Sequence, residues 1–129
     1  MSGGFHIDAG TIPPVPGAYV LVIRLDAPLP PLAPGRYLYC GSAKGAGGLR
    51  ARLGRHMRKD KKIRWHVDRL TEAGVVEGAF VFEDGDECAL VAKLSYLPVP
   101  WPGFGSSDCR SCQSHLLALP GTLRVIDIF

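Results

Sequence analysis

Gly17-Ala18-Tyr19-Val20-Leu21-Val22-Ile23 is the stretch whose reading decides the fold. From Tyr19 to Ile23 it is an apolar run rich in β-branched residues and bounded by turn formers, which predicts a buried strand. The following connection, Ala27 to Gly35, has proline at four of its nine positions and is excluded from helix interior. Beyond it, Arg36-Tyr37-Leu38-Tyr39-Cys40 predicts a second strand, and the two form an antiparallel pair joined by a long loop.

Working outward, Lys44-Gly45-Ala46-Gly47-Gly48 is a flexible loop that ends where Leu49 begins a helix. Leu49, Leu53 and Met57 lay one apolar stripe along that helix. Ile63, Val67 and Leu70 carry a second helical stretch, which Gly74 should end. A third strand is expected around Gly78, over Val75-Val76 and Ala79 to Phe82, and a third helix from Cys88 to about Leu97 after an acidic turn. Leu123 to Phe129 reads as a final short edge strand, and residues 1–16, with Gly3-Gly4 and Pro13-Pro14-Val15-Pro16, as an extended, loosely held arm. The expected fold class is α+β, a small, mostly antiparallel central sheet flanked by helices, with residues 1–129 as one domain.

At 129 residues the chain can bury a real core. Its 47% hydrophobic and 21% charged content suits a soluble globular domain. No apolar run is long enough for a transmembrane helix, and Met1 to Asp8 has neither a basic nor an apolar signal region. No membrane association and a cytoplasmic location are therefore expected, with the four cysteines reduced or ligating metal rather than paired.

Charge is unevenly spread. Residues 44–70 hold ten basic side chains against Asp60 and Asp68 only, inside a chain whose formal net charge is +3. Such a block is either a solvated helix face or the footprint of a polyanion, and the scarcity of acids for i,i+4 pairing favours nucleic acid. Lys44, Arg50, Arg55, Arg58, Lys59, Lys61 and Lys62 are the side chains expected to grip its backbone.

The order Gly17-Ala18-Tyr19, Tyr39-Cys40-Gly41, Arg52, His56 resembles the GIY-YIG nuclease superfamily. A further ordered set resembles an uncharacterised GIY-YIG-related family that occurs alone or fused to endonuclease-III-type DNA glycosylases. It comprises Tyr39-Cys40-Gly41-Ser42-Ala43, Arg55-His56-Met57-Arg58-Lys59-Asp60-Lys61-Lys62, Trp65-His66-Val67-Asp68, Glu87-Cys88 and Phe104-Gly105-Ser106-Ser107-Asp108-Cys109. The middle residues of both tripeptides differ from the eponymous pattern, and the asparagine of repair-type members has no counterpart here.

The resemblance implies a metal-dependent DNA endonuclease, with a link to DNA repair and to a repair-protein partner. In it Tyr19 activates water and Tyr39 orients the site, while Arg52 clamps the scissile phosphate, with Arg50 the competing assignment. Glu87 holds Mg²⁺ or Mn²⁺. A tyrosine of ordinary pKa is a poor base, so a cation must stand beside it. His56 either touches phosphate or moves a proton, and Glu87 could equally serve only the helix dipole. Trp65 should pack under the sheet, and His66 is either a core or a supporting residue.

Cys109-Arg110-Ser111-Cys112-Gln113-Ser114-His115 has a spacing compact enough for one structural Zn²⁺, with Cys88 as fourth ligand. Reduced buried thiols and a redox role are the alternatives there, and Cys40 is a small core residue. Three functions follow: a nuclease; a DNA-binding module or repair adaptor without catalysis; and a zinc-stabilised domain whose basic helix meets an acidic protein.

Overall fold

A computed structural model describes residues 4–59, 62–63, 66–104 and 114–128. Five strands make one antiparallel sheet: β1 (Gly4–His6), β2 (Gly17–Leu25), β3 (Gly35–Ala43), β4 (Val75–Glu83) and β5 (Leu116–Leu119). Their order is β1-β4-β2-β3-β5. The helices among the described residues are α1 (Gly48–Met57), α2 (His66–Ala73) and α3 (Glu87–Lys93), with short 3₁₀ turns at Ala9–Thr11 and Val125–Asp127. This is the α+β class expected.

β2 lies between β3 and β4 and pairs with both, the β4 register shifting between Val22 and Ile23. Side chains alternate across a strand. Tyr19, Leu21 and Ile23 join a core with Leu49 and Leu53 of α1 and Val67 and Leu70 of α2. Ala18, Val20 and Val22 join a second core with Leu90 and Val91 of α3. That double burial is why the strand is apolar from Ala18 to Ile23.

The β2–β3 register sets Tyr19 opposite Gly41 and Leu21 opposite Tyr39. A Cβ on Gly41 would stand 2.4 Å from the Tyr19 ring, so only glycine lets the ring lie across β3. α1 is entered through Gly47 and Gly48, at φ 81° and 56°, where a Cβ on Gly48 would meet the Val15 carbonyl. The Leu49 N–H donates to that carbonyl at 2.8 Å, which fixes the helix start against the N-terminal segment.

Two expectations are corrected. The segment read as a loose arm is tied down: Gly4–His6 pairs with β4, the Phe5 and Phe80 rings lie 4.8 Å apart, and Ile12 is fully buried. Gly78 makes room for the Phe5 ring, which a Cβ there would strike. The last strand is Leu116–Leu119, not Leu123 to Phe129; Pro120 and Gly121 end it, and the chain turns into a 3₁₀ segment. Ile63 also lies outside α2 and is exposed, and α3 stops at Lys93, short of Leu97.

Candidate active site

α1 presents Leu49, Leu53 and His56 to the sheet, one turn apart on a single face. His56 thus arrives over β2, where its Nε2 lies 2.7 Å from the Tyr19 hydroxyl, both residues being 1% exposed. Tyr39 stands edge-on to the His56 ring at 6.3 Å and to Phe104 at 6.0 Å.

Burial, more than any other influence, pushes the Tyr19 phenol far above its ordinary value, and neighbouring Tyr39 adds to the rise. The Arg52 guanidinium, by charge and hydrogen bond, opposes it. Tyr39 is raised chiefly by burial and then by the charge of Glu87. Both phenols are therefore protonated at neutral pH, and the Tyr19 hydroxyl and His56 Nε2 share one hydrogen bond whose direction follows the histidine tautomer.

Glu87 opens α3, one residue after the cap Asp86, whose carboxylate accepts from the Cys88 N–H at 3.1 Å. Its Oε1 accepts from Ser42 Oγ at 3.3 Å, and its Oε2 stands 3.4 Å from His115 Nδ1. At that distance the two side chains form a long ion pair. The His115 imidazole, first among its neighbours, holds the Glu87 carboxyl below the usual range, with Ser42 and Lys44 helping against burial. Glu87 is ionised at neutral pH and partly open to solvent.

Tyr19, Tyr39, Arg52, His56 and Glu87, singled out in the sequence, come together at the β3 end of the sheet. Arg50, the competing cation, instead donates from Nε to the Ile12 carbonyl at 2.6 Å. The basic block divides. Arg55 forks onto Asp68 at 2.7 and 2.9 Å, with Asp68 fully buried. Lys59 donates to the Thr71, Glu72 and Gly74 carbonyls at the end of α2. Lys44, Arg58 and Lys62 lie exposed.

Lys61, Trp65, Cys109 and Cys112, and the side chain of His66, lie outside the described residues. Cys88 is disulfide-bonded, against the expectation of unpaired cysteines, and so holds no thiolate for a metal; Cys40 forms no disulfide and is buried in the core. Among the described residues no three His, Cys, Asp or Glu side chains gather as a metal cluster.

Two contacts were missed. Sequence spacing grouped His115 with the cysteines, whereas β5 pairing brings it to Glu87; the Cys40 N–H donates to the His115 carbonyl at 2.9 Å. Ser42, beside Gly41, also reaches Glu87. Nothing local signals either contact, because strand pairing and the entry into α3 make them.

A family model, Domain of unknown function DUF123, matches residues 19–127, and the chain belongs to that family. The match corrects the resemblance drawn from the tripeptides: the family found is a distinct one, and nothing in it identifies the chain as GIY-YIG. No curated protein and no solved structure matches the chain. No helix among the described residues is long and apolar enough to cross a membrane.

Proposed function

We propose that this domain is a metal-dependent phosphodiesterase that hydrolyses DNA. The observation that carries the reading is the buried 2.7 Å Tyr19–His56 contact beside Arg52 and Glu87. A buried tyrosine normally needs only one partner for its hydroxyl. Here a proton acceptor, a fixed cation and an ionised carboxylate converge on one phenol.

Because burial keeps the Tyr19 phenol protonated, it does not act as a standing phenolate base. Instead it hands its proton to His56 Nε2 as it takes one from the attacking water, so that His56 is the final acceptor. Arg52 pairs with the phosphate and offsets charge on its non-bridging oxygens. Tyr39 packs the other side of His56 and fixes the ring. Glu87 fits a divalent ion of the kind that takes a single protein carboxylate plus waters and phosphate oxygens. Such an ion supplies Lewis acidity to the phosphate and its leaving oxygen. Exposed Lys44 and Lys62, with Arg58, meet the DNA backbone.

The 1% exposure of Tyr19 supports a second reading, a DNA-binding module or repair adaptor whose Tyr19–His56 pair is structural. Incubation with labelled branched, nicked and abasic DNA, with Mg²⁺, Mn²⁺ or chelator, separates the two. Metal-dependent cleavage lost in Arg52→Ala and Glu87→Gln is expected. Binding without cleavage across the panel would establish the module instead.

A further inference from the structure

We propose that Glu87 and His115 form one divalent-metal site with an oxygen and a nitrogen donor, selective for transition ions such as Mn²⁺ and Co²⁺ over Mg²⁺. The proposal rests on the reading above for what the ion does, and on geometry alone for where it sits.

His115 is 1% exposed; among the described residues Nε2 has no hydrogen-bond partner, and Nδ1 meets only the Glu87 carboxylate, as a loose ion pair at 3.4 Å. Buried polar atoms left under-satisfied are costly and uncommon, and each calls for an explanation. That spacing has another meaning. Two ligands held at about 2.1 Å from one ion at the tetrahedral angle lie about 3.4 Å apart.

The ring is also held in place. The His115 N–H donates to the Phe104 carbonyl at 2.8 Å, and its carbonyl accepts from the Cys40 N–H at 2.9 Å. Ser42 occupies Glu87 Oε1, which leaves Oε2, the atom facing Nδ1, for the ion. The Glu87 side chain is 22% exposed, so waters or a phosphate can complete the coordination from the open side. An imidazole donor suits Co²⁺ and later ions best and Mn²⁺ least among the transition ions, whereas Mg²⁺ favours all-oxygen shells.

The test is made on the whole chain without DNA. Pulsed electron spin resonance of bound Mn²⁺ reports a coordinating ¹⁴N, and titrations with Mn²⁺, Co²⁺ and Mg²⁺ give relative affinities. We expect a ¹⁴N coupling in the wild type that is absent from His115→Gln and Glu87→Gln. In His115→Gln the Mn²⁺ and Co²⁺ affinities should fall about tenfold or more while that of Mg²⁺ stays. Should His115→Gln fail to fold, the wild-type coupling and its loss in the partly exposed Glu87→Gln decide alone. Failure to bind Mn²⁺, a bound ion without ¹⁴N coupling, or a coupling that persists in both variants would overturn the site. A nitrogen-ligated ion in a chain that cleaves no DNA would keep the site and remove the nuclease; cleavage without nitrogen ligation would do the reverse.

Discussion

Tyr19 owes its place to three other residues. Gly41 gives its ring room, His56 hydrogen-bonds its hydroxyl, and Arg52 counters the penalty of its burial. Gly41→Ala should therefore be destabilising by about 1–3 kcal/mol, since the new methyl enters the ring and the surrounding core is full. Urea unfolding measures this; an unchanged midpoint would mean that the ring moves aside freely. His56→Phe keeps the ring contacts but removes the proton acceptor. In that variant we expect cleavage to fall about 10²-fold or more with DNA affinity kept, read by single-turnover cleavage beside a binding titration. Tyr19, Tyr39, Arg52, His56 and Glu87 were singled out by a resemblance that the family match does not support, and it is their packing around the Tyr19 phenol that keeps them candidates. His115 was not legible with them, because its relation to Glu87 exists only once β5 has paired with β3.

At the scale of elements, part of the basic block builds the fold. Arg55 on α1 and Asp68 on α2 staple the two helices through a bidentate pair whose acid is fully buried. Arg55→Ala removes both bonds of this bidentate pair to a buried carboxylate and should cost more than about 1 kcal/mol, with part of the loss recovered in the double variant with Asp68→Asn. A cost below about 1 kcal/mol in urea unfolding would contradict the staple. On the sheet, Glu77 of β4 accepts from Arg36 at 2.6 and 3.2 Å and from Arg24 at 3.2 Å. Arg36 first, then Arg24, hold its carboxyl below the ordinary range. The folded chain thus binds this proton less readily than the unfolded one. The pair's contribution is present above the unfolded carboxylate value and lost as pH falls through the lower folded value. Both arginines are well exposed, so the amount is under about 1 kcal/mol. Stability measured from pH 6 to pH 3 should fall less steeply in Glu77→Gln; parallel curves would contradict the assignment.

Across the whole molecule, hydrophobic runs and turn residues located β2, β3, β4 and the helices, because each carries its own local signal. What failed was what depends on distant partners. Gly4–His6 is a strand only because β4 leaves an edge and Gly78 a hollow for Phe5. Leu116–Leu119 is too short and too plain to be read before β3 is in place. The charge excess was read correctly as a count and too broadly as a surface, since Arg55 and Lys59 are bound to the chain itself. DNA affinity should accordingly fall with salt by a slope that drops about 0.9 for each of Lys44→Gln and Lys62→Gln. An unchanged slope in both would place the DNA elsewhere.

The most direct test of the account is the single-turnover cleavage rate of a labelled DNA duplex in Mn²⁺, wild type against Tyr19→Phe, at saturating protein. Phe keeps the buried ring over Gly41 and removes one O–H. The account expects cleavage by the wild type and a loss of about 10²-fold or more in the variant, with binding unchanged. Equal rates in the two, or no cleavage by the wild type, would contradict it.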